Sequence, residues 1–205
     1  MDNDSAQQTA RLDLEISGNA ALVLVDVQKG FDAYPQPRNN PGAEANIAAL
    51  ADAWQDSARP VVFVRHDSRE PDSPLRPGQP GNDLQDFVAE RRGKGSPDRE
   101  SLITKHVNSA FLGDPDLAHW LTERGIGQIV LAGVQTNFCA ETTARMGGNL
   151  GFDVVFALDA TYTFDLEGPH GWSLTADELY RATAVNLHGG GFARVVRTEE
   201  ILKAA

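Results

Sequence analysis

Six short apolar runs punctuate the chain: AALVLVDV (Ala20 to Val27), RPVVFVRH (Arg59 to His66), SLITK (Ser101 to Lys105), IGQIVLAGV (Ile126 to Val134), GFDVVFALDA (Gly151 to Ala160) and FARVV (Phe192 to Val196). Their centres are continuous rather than alternating, and rich in valine, isoleucine and leucine. A strand with one wet face shows a period of two; an unbroken run indicates burial on both faces, as in a parallel sheet covered by helices. The segments between them carry helical spacing. NNPGAEANIAALADAWQDS repeats alanine and leucine at intervals of three and four. GDPDLAHWLTERG offers Asp114 as an N-cap, Pro115 at the first helical position and Gly125 as a stop. TADELYRATAVNLHGGG opens with a capping box, Thr175 with Glu178, and closes in glycines. Strand and helix alternate with short connections. This predicts an α/β fold of three layers, α/β/α, around a doubly wound open sheet of about six parallel strands.

One stretch breaks the rhythm. DSREPDSPLRPGQPGND (Asp67 to Asp83) carries four prolines after the second run and is too long for a turn, so it is expected to be an ordered excursion over one end of the sheet. LQDFVAERRGKGSPDRE behind it reads as one helical turn and a loop. The acidic, polar start MDNDSAQQTARLDLE has neither the basic nor the apolar region of a signal peptide, and no apolar run approaches the roughly 18 residues of a membrane span. A frayed polar lead-in over residues 1–18, a single domain over 19–205 and a cytoplasmic location are the expectation.

Composition narrows the partners. A formal charge of −11 disfavours nucleic acid and anionic membrane, and leaves a small-molecule ligand, neutral or cationic, as the expected partner. One cysteine in 205 residues excludes an intrachain disulfide and is consistent with a reduced thiol.

In open α/β sheets ligands bind beyond the carboxyl ends of the strands. That rule selects Asp26, His66, Lys105, the segment from Gln135 to Cys139, and the segment from Asp159 to Phe164. A lone cysteine is most often a small core residue, and a strand-end aspartate or lysine is most often solvated. Together the three are more than that: a carboxylate, an ammonium and a thiol delivered to one edge of one sheet. A thiol beside an ammonium at a helix start is expected to have a lowered pKa. The carboxylate would take its proton and later return it, and backbone N–H groups of Gln135 and Cys139 would hold an oxyanion. Such a set suits acyl transfer through a thioester followed by hydrolysis.

LVLVDVQKGF, ITKHVNSAF and LAGVQTNFCAETTARMGGNLGFDVVFALDATYTF resemble, in order and spacing, the isochorismatase-like cysteine hydrolase superfamily, over roughly Ala20 to Val196. Its members include nicotinamidases, N-carbamoylsarcosine amidohydrolases, ureidoacrylate-type amidohydrolases and streptothricin hydrolase. The resemblance implies that Cys139 is the nucleophile, Asp26 the general base and acid, and Lys105 the group that orients and charges the pair. It also implies a cis peptide before Gln135, with the Gln135 and Cys139 amides as the oxyanion hole, and a homodimer or homotetramer. Nicotinamidases bind a divalent metal through an aspartate and two histidines beginning Asp-x-His near the second strand. Here that region reads VRHDSREPDSPLRP, with His66 alone, so no metal and no cofactor are expected. Gln28, Phe31, His66, Asn108, Tyr162, Phe164 and Trp172 are candidates to contact substrate, the last three from a loop after the fifth strand; Ser109 and Phe111 lie near the site by the same resemblance. His106 and His188 are assigned structural roles.

The leading reading is a cysteine-dependent amidohydrolase that cleaves a C–N bond of a small amide, carbamoyl or lactam-like substrate. Vinyl-ether hydrolysis, carried out by members with aspartate in place of the cysteine, and a non-catalytic binding protein on the same fold remain as alternatives. A flavodoxin-like nucleotide-binding domain ranks below both, because no glycine-rich loop follows ALVLVDVQKGF.

Overall fold

The computed structural model describes residues 14–205. In chain order the elements are β1 (Ala21–Val25), α1 (Ala43–Asp56), β2 (Val61–His66), α2 (Asp86–Ala89), β3 (Glu100–Lys105), α3 (Leu117–Glu123), β4 (Gln128–Val134), α4 (Glu141–Asn149), β5 (Asp153–Tyr162), β6 (Leu166–Glu167), β7 (Ser173–Leu174), α5 (Ala176–Gly189), β8 (Arg194–Val196) and α6 (Thr198–Ala204). Six strands form one parallel sheet in the order β3-β2-β1-β4-β5-β8. The order reverses between β1 and β4, and that is where a crevice opens at the carboxyl edge.

The apolar runs are strands because both faces of each are covered. Along β1, Ala21, Val23 and Val25 join one core with Leu117, Leu121, Ala144 and Leu187, from α3, α4 and α5. Leu22 and Leu24 join a second core with Ile47, Leu50 and Trp54 of α1 and Ile201 of α6. Burying each such aliphatic side chain contributes about 1.5–3 kcal/mol. Trp54 also places its indole N–H on the Ala20 carbonyl at 2.9 Å, so its polar atom is satisfied inside the core.

Gly133 fixes the seam between β1 and β4. It has φ of +124°, and a Cβ there would stand 2.0 Å from the Val25 carbonyl oxygen. Only glycine lets the two backbones close to this separation. The residue after Val25 is Asp26, and the residues after Val134 lead to Cys139, so this approach sets the width of the crevice.

The expected sheet is present. The capping box at Thr175 and Glu178 opens α5, and α2 is the single helical turn expected after the excursion. The excursion is ordered: the Asn82 amide donates to the carbonyls of His66 and Leu75 and to Asp67 Oδ1.

Three expectations need correction. Asp114 does not cap α3; its backbone N–H and C=O pair with Thr104 on the outer strand β3, both at 2.8 Å. With that backbone engaged, the helix starts later, and Asp116 accepts from the His119 N–H at 2.8 Å as its cap. Residues 1–13 of the polar lead-in lie outside the described residues, but 14–18 do not fray: Ile16 is buried against the second core, and Gln128 bonds the backbone of Glu15 and Ser17. Finally, Tyr162 belongs to β5 rather than to a loop, and the chain after it forms a β6–β7 hairpin that the pattern did not announce. Among the described residues no helix is long and apolar enough to cross a membrane.

Candidate active site

Four strand ends converge at the carboxyl edge. Asp26 follows β1 directly and sits at φ of +50°, a left-handed conformation that costs a non-glycine residue free energy and holds only where the surroundings enforce it. Lys105 ends β3, His66 ends β2, and Cys139 lies in a π-helical turn, Thr136–Ala140, between β4 and α4. In that turn the Ala140 N–H reaches back to the Gln135 carbonyl, one residue further than in an α-helix. The turn is pinned from β5 and the residue after it: the Thr136 and Thr161 hydroxyls meet at 2.9 Å, and the Thr163 hydroxyl donates to Asn137 Oδ1 at 2.5 Å. The Val134–Gln135 peptide just before the turn is cis.

The Lys105 ammonium is the centre of the arrangement. Its Nζ lies 2.6 Å from Asp26 Oδ2, 3.0 Å from His66 Nδ1 and 3.3 Å from Cys139 Sγ. Lys105 and Asp26 are both fully buried. The second carboxylate oxygen of Asp26, Oδ1, is buried with no hydrogen-bond partner among the described residues, and an Asp26 oxygen lies within 4.8 Å of Cys139 Sγ. An acceptor without a donor, next to a thiol, is a ready proton receiver.

The thiol does not behave as the sequence reading expected. Burial pushes the Cys139 pKa up to about 12, and the Asp26 charge adds to the rise while Lys105 opposes it. The carboxylate and the ammonium act on the sulfur in opposite directions, and desolvation is the largest influence. The resting group is therefore a protonated thiol beside a base. His66 is held below its ordinary range by burial first and by the Lys105 charge second, so its ring is neutral.

Oxygen, nitrogen and sulfur donors of Asp26, His66 and Cys139 stand within 4.8 Å of one another, the spacing of a metal site. The set does not fit a divalent ion, because the Lys105 ammonium already lies against all three and would repel a second cation.

A cleft of about 190 Å³ opens above these groups, lined by Asp26, Phe31, Tyr34, His66, Leu75, Asn108, Gln135, Phe138 and Cys139. The structure thus brings Phe31, His66 and Asn108 of the expected contacts to the cleft with the reactive residues. Four others lie elsewhere. Gln28 is fully buried and uses both ends of its amide on the backbone of His66. Tyr162 and Phe164 are buried behind the cleft, where Phe164 stacks on Phe31 and Tyr34. Trp172 is 69% exposed on the β6–β7 hairpin and does not line the cleft. Ser109 and Phe111 support the site from below: Ser109 caps a short turn, and Phe111 stacks on Phe152. Tyr34 and Leu75 line the cleft without having been singled out, and Phe138 lines it from within the segment Gln135 to Cys139 that the strand-end rule selected. Phe138 is the neighbour of the cysteine, and that adjacency was its available signal.

A doubly wound α/β fold carrying a buried carboxylate–ammonium pair against a cysteine at the strand switch defines a hydrolase of the isochorismatase type. The family model described as the isochorismatase domain matches residues 20–188, and the chain belongs to that family. The chain is 34% identical to the isochorismatase family protein YrdC of Bacillus subtilis, over 89% of this chain and 94% of that one. It is 30% identical to nicotinamidase 3 of Arabidopsis thaliana, over 90% of this chain and 88% of that one. A crystal structure of an isochorismatase-family protein from Chromobacterium violaceum superposes with a TM-score of 0.84 at 38% identity, covering 95% of this chain and 98% of that one.

Proposed function

We propose that this isochorismatase-family hydrolase is a cysteine-dependent amidohydrolase, cleaving a C–N bond of a small uncharged amide, carbamoyl or lactam-like substrate through a thioester. The observation that carries the reading is the Lys105 ammonium in simultaneous contact with the Asp26 carboxylate and the Cys139 sulfur. In this mechanism Asp26 takes the thiol proton as sulfur attacks the substrate carbonyl carbon. The C–S bond forms, the carbonyl becomes an oxyanion held by the Gln135 and Cys139 backbone N–H groups, and Lys105 keeps the charge of the pair balanced. Collapse of this intermediate breaks the C–N bond, and the leaving nitrogen departs with the proton from Asp26. A water molecule, deprotonated by the same carboxylate, then attacks the thioester, releases the acid and returns the proton to sulfur.

Two features favour an uncharged substrate. Among the described residues nothing cationic lines the cleft, so a carboxylate-bearing substrate would find no counter-charge there. Phe31, Tyr34, Leu75 and Phe138 supply apolar walls, while Asn108 supplies a polar contact. The similarity to a plant nicotinamidase adds weight to the C–N assignment. The test is ammonia or amine release over a panel of nicotinamide, carbamoyl compounds and cyclic amides, each paired with a carboxylate-bearing analogue and blanked with C139A. Release from the neutral members that C139A lacks supports the reading. Release by C139A equal to wild type, or turnover of a vinyl ether and of no amide, overturns it.

A further inference from the structure

Lys105 has to travel to do its work. It stands on β3, whereas Asp26 directly follows β1 and Cys139 lies in the turn after β4, so its side chain must pass across the end of β2. Neighbouring strands lie about 4.8 Å apart, so the extended lysine stem crosses the first interval and the Asp26 side chain reaches back across part of the second to meet it. The residue it crosses is His66, its direct partner in the β2–β3 register. The His66 ring meets the ammonium through Nδ1 at 3.0 Å. An ammonium has three N–H bonds and no lone pair, so the three contacts at Asp26, Cys139 and His66 use its whole donor capacity.

We infer that His66 is a positioning residue for Lys105: a neutral imidazole whose Nδ1 lone pair accepts the third ammonium hydrogen and aims the other two at the carboxylate and the sulfur. Three consequences follow from the chemistry. Nδ1 must be bare and Nε2 must carry the ring proton, because a proton on Nδ1 would face the ammonium hydrogens. The ring must also be uncharged, and Lys105, Asp26, His106 and Asp67 are the charged and titratable groups around it. Lastly, its position must be held independently of the lysine, and it is. The buried Gln28 amide accepts from the His66 N–H at 2.9 Å and donates to the His66 carbonyl at 3.0 Å, and Asn82 donates to the same carbonyl at 3.1 Å. Two amides from outside β2 thus fix the backbone of this strand-end residue on both sides, which gives Gln28 its role although it touches no cleft. With this third acceptor lost, the ammonium is free to turn toward solvent, and the carboxylate and thiol lose their common partner.

This inference rests on the amidohydrolase reading, and the experiment separates the two. H66L keeps bulk without an acceptor, and H66N places an amide oxygen near the Nδ1 position. On an amide that wild type turns over and C139A does not, H66L should lower kcat roughly 10- to 100-fold, the range for one hydrogen bond to a charged group. KM should stay within about threefold, and H66N should recover most of the loss. A rise in KM alone would make His66 a wall of the cleft, and an unchanged kcat in H66L, or H66N no better than H66L, would equally overturn the role while leaving Cys139 as nucleophile. Nitrogen-15 NMR of the five-histidine wild-type protein gives a readout that needs no variant to fold. It should show the His66 ring neutral with the proton on Nε2 at pH 7, and a proton on Nδ1 would refute the assignment.

Discussion

Asp26 and Lys105 meet at 2.6 Å with neither side chain exposed, joined across 79 positions of sequence and two strand intervals of the sheet. Inside a protein such a pair owes its persistence to its mutual charge, and either member left alone is an uncompensated buried ion. K105M should therefore destabilise the fold by about 3–5 kcal/mol, and D26N by a comparable amount. The double variant D26N/K105M should cost less than the sum. Urea unfolding of the four proteins measures the coupling, and strict additivity would mean the charges do not depend on each other.

As the proposed nucleophile, Cys139 should be indispensable. C139A is expected to lower kcat by at least about 10⁴-fold, with substrate binding retained, since removing one member of a concerted set removes nearly the whole effect. Equilibrium binding of a turned-over amide to C139A, alongside single-turnover kinetics, checks both halves.

The raised thiol pKa has a kinetic and a thermodynamic signature. Iodoacetamide should label Cys139 slowly at pH 7.5, with a rate that climbs through pH 10 without a plateau, because burial holds the thiol protonated toward about 12. An early plateau below pH 8 would mean a resting thiolate. The same shift links to stability. The native thiol keeps its proton where an unfolded one, near 9.0, loses it. Its contribution is full below about pH 9 and is lost as pH climbs through the native value. The stability difference between wild type and C139A, followed by urea titration from pH 8 to 10.5, should narrow or reverse with rising pH.

Gly133 admits no replacement. In G133A the new methyl would press on the Val25 carbonyl, at a φ that alanine avoids. A loss above about 3 kcal/mol, or failure to recover soluble protein, is expected. G127A, at a glycine whose added Cβ meets nothing within 4 Å, is the control and should unfold within about 1 kcal/mol of wild type.

Much of this was legible beforehand because burial writes itself into sequence. Strands covered on both faces appear as unbroken apolar runs, and reactive residues at the ends of such runs share an edge, which is how Asp26, Lys105 and Cys139 were found. The contact of His66 with Lys105 was not legible, since it depends on the β2–β3 register and nothing local encodes register in a parallel sheet. The start of α3 was misread because Asp114 has two possible uses and its strand pairing, a tertiary fact, took precedence. The thiol pKa was misjudged in direction because the ammonium was counted and the burial of the sulfur, its largest influence, was not. Tyr162, Phe164 and Trp172 read as a loop of aromatic contacts because β5 runs past its apolar stretch into a polar-flanked segment.

The positive charge at the heart of this site hangs on a tether of four methylenes, anchored to the outermost strand of the sheet. A chelator cannot strip it, scarcity in the surroundings cannot starve it, and an exchange of one dissolved ion for another cannot mistune it. Its weakness is mechanical instead: whatever displaces the rim at β3 by an ångström or two withdraws the charge from the carboxylate and the sulfur altogether.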